Sequence, residues 1–91
     1  MDKRIILYEI KNEKVNSSLR IEMNEEKEKS VFLMLPTMGW AVTVNGTEDE
    51  ILQEQVISLK RALKGITWER STGIAIQWML SIIEPKQMSL F

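Results

Sequence analysis

The 91-residue chain contains no cysteine and no histidine. The first absence excludes disulfides and thiolate chemistry, and together they remove the commonest transition-metal ligands and the only side chain that titrates unperturbed near neutrality. No Gly-rich phosphate loop is present and no nucleophile has an adjacent base, so neither an enzyme nor a bound cofactor or metal is expected. An excess of one charge is lacking too: 12 Lys and Arg against 13 Asp and Glu leave a net charge of −1. That balance argues against a strong sequence-independent attraction to nucleic acid or anionic membrane. No apolar run approaches the length of a membrane span. The start, Met1-Asp2-Lys3-Arg4-Ile5, has neither the apolar stretch nor the small-residue cleavage site of a signal peptide. A cytoplasmic protein without a membrane partner is expected.

What is there reads as one ordinary globular domain, 44% apolar and 27% charged, with a modest core and no room for an elaborate buried site. Ile5-Ile6-Leu7-Tyr8-Glu9-Ile10 is β-branched, aromatic and nearly all apolar, which predicts a strand covered on much of both faces, broken by Lys11-Asn12-Glu13-Lys14. From Val15 the pattern alternates. Val15, Leu19, Ile21 and Met23 fall on one side and Asn16, Ser18, Arg20 and Glu22 on the other, predicting a half-buried strand antiparallel to the first. Glu25-Glu26-Lys27-Glu28-Lys29 reads as a solvated loop. Val31-Phe32-Leu33-Met34-Leu35 and Trp40-Ala41-Val42-Thr43-Val44 flank Pro36-Thr37-Met38-Gly39, the strongest hairpin signal in the chain.

Asn45-Gly46 ends the strands, and Thr47 with Glu50 forms a capping-box pattern that starts a helix. Leu52, Val56, Leu59, Leu63 and Ile66 make its apolar stripe, while Gly65 suits the left-handed position after a helix and Thr67 the cap of the next. Residues 68–83 carry two patterns. Ile74, Ile76, Trp78, Leu80 and Ile82 alternate as in a strand, whereas Trp68, Thr72, Ala75, Ile76, Met79 and Ile83 share one helical face. A second helix is the favoured reading, with a hairpin strand as the alternative and Gly73 as its weakest point. The expectation is an α+β domain over residues 1–84, two β-hairpins forming a four-stranded antiparallel sheet with two helices on one face. Pro85 stops the last helix and opens a flexible segment, 85–91.

Several residues invite chemistry and have plainer explanations. Asp49 and Glu50 could serve acid–base work or hold Mg²⁺, but sit where a helix N-terminus favours acids. Asn45-Gly46-Thr47 fits a glycosylation pattern and reads more simply as a turn. Trp40, Trp68, Trp78, Tyr8 and Phe32, with Lys3, Arg4, Lys11, Lys14 and Arg20, could form a stacking platform for single-stranded nucleic acid. Near-neutral charge and apolar contexts favour core positions for these aromatics.

The final residues, Gln87-Met88-Ser89-Leu90-Phe91, are different. Terminal segments are normally polar, because nothing offsets the entropy of ordering them, yet this one ends on Met, Leu and Phe. It resembles the clamp-binding peptide of proteins that dock on the bacterial DNA sliding clamp, whose pattern is Gln, an aliphatic residue, Ser or Asp, Leu, then Phe. The resemblance covers these five residues alone. It implies that Leu90 and Phe91 anchor in an apolar pocket on the clamp, that Met88 adds a second apolar contact, that Gln87 hydrogen-bonds at the rim and that Ser89 is a spacer. The competing reading folds Leu90 and Phe91 back onto the domain's own core.

The function so implied is docking. A small non-catalytic accessory or inhibitor of the sliding clamp is expected, of the kind phages and other mobile elements encode, in DNA replication or repair. A single-strand-binding module, or an adaptor whose body binds another replication or repair protein and whose tail is only a tether, is the alternative. A homodimer would present two such peptides to one ring.

Overall fold

A computed structural model describes residues 3–66 and 69–88, with side chains through residue 85. Four strands, β1 (Ile5–Asn12), β2 (Ser17–Met23), β3 (Lys29–Met34) and β4 (Gly39–Val44), precede two helices, α1 (Glu48–Gly65) and α2 (Arg70–Met88). The strands form one antiparallel sheet in the order β1-β2-β3-β4, the α+β arrangement that the sequence predicts.

Register follows from the apolar alternation, since a slip of one residue would turn every side chain to the wrong face. Two cross-strand rows face the helices: Tyr8, Ile21, Val31 and Val42 in one, Ile10, Leu19, Leu33 and Trp40 in the other. Leu19, Ile21, Val31 and Leu33 on the central strands are fully buried. They meet Ile51, Leu52, Val56 and Leu59 of α1 and Ala75, Ile76, Met79, Leu80 and Ile83 of α2 in one core. Few polar groups enter it. Those that do are bonded: Trp40 Nε1 donates to Gln55 Oε1 at 2.8 Å, and the buried Thr72 hydroxyl pairs with that of Thr37, as low-dielectric surroundings require.

Three boundaries differ from the sequence reading. β1 continues to Asn12, and the break is a 3-10 turn over Glu13–Val15. The Asn12 side chain accepts from Lys14 N, and Asn16 follows in the left-handed region at φ 49°. Val15 therefore lies before β2, not in it, yet still packs half-buried against the core. Gly65 lies inside α1 and is not left-handed; Ile66 closes the helix by donating its N–H to Ala62 O. Pro85 is inside α2, not beyond it. Proline's fixed φ is compatible with a helix, and what it removes is one bond near the helix end, to the carbonyl four residues earlier.

The remaining turns behave as their residues dictate. The acidic and basic loop is held by Asn24, whose Oδ1 accepts from Glu26 N at 3.0 Å and Glu28 N at 2.9 Å, while Lys27 takes φ 67°. Gly46, at φ 134°, supplies the backbone reversal before α1 that a side chain would resist.

Candidate partner-docking segment

α2 carries the chain from the core to the candidate peptide. Ile83 is its last core residue among those with described side chains. Glu84 follows, in an ion pair with Lys60 of α1, and Pro85 is exposed. By backbone, Gln87 and Met88 occupy the last turn of α2, so the five residues do not begin as free chain. Ser89, Leu90 and Phe91 lie outside the described residues, and so does the question of whether Leu90 and Phe91 fold back.

The other sequence candidates resolve into structure. The Thr47 hydroxyl accepts from Glu50 N at 3.2 Å, while the Glu50 carboxylate accepts from Thr47 N at 2.9 Å, completing the capping box. Bonds from the Thr47 backbone and side chain, with Lys29 nearby, hold the Glu50 carboxyl below the usual glutamate range. Glu69 does the corresponding work for α2: its carboxylate accepts from the Ser71 hydroxyl and from Ser71 N, which lowers its pKa as well. Thr67, expected in that role, lies outside the described residues. Among the described residues no group of three or more His, Cys, Asp or Glu could hold a metal ion, and no helix is long and apolar enough to cross a membrane.

The aromatic residues do not assemble on one surface, although Arg4, Lys11 and Arg20 share the open sheet face with Phe32. Tyr8 and Trp40 belong to the core-facing rows, and Trp78 packs half-buried against the core; Trp68 lies outside the described residues. Phe32 stands on the open face, in the row Glu9, Arg20, Phe32, Ala41. Its ring is covered by the Arg20 guanidinium at 5.3 Å. Arg20 Nε also lies 2.7 Å from Glu22 Oε2 and its Nη1 3.7 Å from Glu9 Oε2, while Arg4 Nη1 meets Glu22 Oε1 at 3.2 Å. Such part-exposed pairs contribute little stability each. In these pairs Arg4 and Arg20 face carboxylates. Sequence reasoning missed this Arg20 centre, although it placed Arg20 and Glu22 on the outward side of their strand.

A shallow hollow of about 320 Å³ opens between β4 and α1, lined by Met38, Trp40, Ser58, Arg61 and Ala62. Comparison with protein-family models, with curated proteins and with solved structures finds no match to this chain.

Proposed function

We propose that the protein docks on a bacterial DNA sliding clamp through residues 87–91, as a non-catalytic accessory or inhibitor of clamp-dependent replication or repair. The observation that carries this reading is the agreement of Gln87-Met88-Ser89-Leu90-Phe91 with the clamp-binding pattern at every position. Its setting supports it. The described core closes at Ile83, and the peptide begins four residues later, near enough to be presented by α2.

Leu90 and Phe91 are the anchors, Met88 a secondary contact, and Gln87 the group that fixes orientation. Burying three large apolar side chains yields roughly 4.5–9 kcal/mol at about 1.5–3 kcal/mol each. Immobilising the peptide and losing translational freedom offset much of that. A single peptide is thus expected to bind no more tightly than a Kd on the order of micromolar, about −8 kcal/mol. Titration of purified bacterial sliding clamp with the full protein, the isolated 87–91 peptide and a Leu90→Ala/Phe91→Ala variant tests the reading. The double variant should lose binding. If it binds as well as the parent, the segment is not the anchor and the proposal fails.

A further inference from the structure

The two edges of the sheet are built differently. β1 carries Glu9 and Lys11 and has a register irregularity between Ile6 and Tyr8, the charges and bulges by which edge strands resist pairing with another chain. β4, Gly-Trp-Ala-Val-Thr-Val, has no charge, no proline and no register irregularity along its pairing with β3. Among the described residues no backbone hydrogen bond from outside the sheet reaches it. The bond from Leu35 N to Met38 O at 2.7 Å fixes the phase of the β3–β4 ladder, because bonded and non-bonded pairs alternate along an antiparallel pair. Trp40, Val42 and Val44 then spend their backbone groups on β3. Gly39, Ala41 and Thr43 point theirs outward.

We infer that β4 is a self-pairing edge through which two copies of the chain join their sheets about a two-fold axis at Ala41. In that register Gly39 faces the partner's Thr43, Ala41 faces its own counterpart, and every outward N–H and C=O from Gly39 to Thr43 meets a partner. Trp40 then lies opposite the partner's Val42, an aromatic and β-branched pair of the kind that stabilises cross-strand contacts. The core-facing row Ile10, Leu19, Leu33, Trp40 runs on into the partner's Val42, Val31, Ile21 and Tyr8. Val42, 43% exposed where its row ends, is covered, beside the hollow under Trp40. A second copy fits this edge because the strand is uncharged, so the two-fold opposes no like charges. Assembly stops at two copies because the β1 edges at the far ends are protected.

The inference needs no clamp, and it would give each assembly two 87–91 peptides, which raises avidity for a partner with two pockets without any new contact. Sedimentation of the full chain from about 1 µM to about 1 mM, a span that covers weak interfaces, is expected to rise from 10.6 kDa to twice that mass. Ala41→Lys and Ala41→Glu place like charges face to face across the axis. Each alone should remain monomeric, and an equimolar mixture of the two should dimerise, which a loss of folding could not produce. A parent chain monomeric at every concentration overturns the inference and leaves the edge to a strand of another protein. So does a dimer that Ala41→Lys leaves intact, or a mixture of the two variants that stays monomeric.

Discussion

α1 and α2 are nearly equal in length and lie on the same face of the sheet, yet they are specified in different ways. α1 is defined from its own ends. A capping box opens it, three acids stand in its first turn and a lysine in its last, each favourable to the helix dipole. α2 has no acid in its first turn and carries Pro85 within it. It is defined by what it lies on: Thr72, Ala75, Ile76, Met79, Leu80 and Ile83 are buried at helical spacing. The strand-like alternation competing in this segment rests partly on Ile74 and Ile82, which are 46% and 39% exposed. Local signals make α1, and tertiary burial makes α2.

The largest expected effect follows from that dependence. Ile83→Ala, at the fully buried end of α2, is expected to cost about 2–5 kcal/mol, lowering Tm by roughly 10 °C or more in a domain of this size. Removing residues 86–91 should move Tm far less, since the described core ends at Ile83. Thermal melts of the two side by side decide the matter. A truncation as damaging as Ile83→Ala would mean that the segment packs on its own body, and docking would then have to compete with that packing.

The fold was legible wherever neighbouring residues carry the signal. Leu19, Ile21, Val31 and Leu33 alternate because one face is buried, Pro36 begins the turn between β3 and β4, and the Thr47 and Glu50 pair marks a helix start. The failures share a cause, which is that a residue with a strong preference can be used in another way. Gly65 can end a helix but does not have to while Ile66 closes it. Pro85 can stop a helix but only forfeits one bond near its end. Glu69 caps α2 although glutamate is not among the preferred caps, because its longer side chain still reaches Ser71. The proposed docking segment rests on its resemblance alone; five residues have no periodicity or register to read. The β4 edge needed the structure, since which backbone groups point outward depends on the phase of a hydrogen-bond ladder that the sequence does not spell.

Capping sharpens the contrast between the helices at a smaller scale. Thr47→Ala removes the acceptor for Glu50 N and is expected to lower stability by about 0.5–2 kcal/mol, measured as a shift of the urea midpoint at unchanged slope. Glu69→Ala, at the start of the helix that burial specifies, should shift the midpoint less. Equal shifts would mean that α2 depends on its end as much as α1 does.

The smallest effect runs in the stabilising direction. Gly73 sits in the first half of α2, where glycine costs backbone entropy that alanine does not. Nothing in its position requires it: its φ is not left-handed, and a Cβ built there meets only Leu63 Cδ1 of α1, at the ordinary contact distance of 3.9 Å. Gly73→Ala is therefore expected to stabilise the domain by about 0.5–1 kcal/mol, a rise in Tm of a few degrees. A helix held by its packing gains from better propensity only if that packing is left undisturbed, so the sign of the change is the informative result. A fall in Tm would show that α1 and α2 approach more closely at Leu63 than 3.9 Å, and that Gly73 is there to permit the approach.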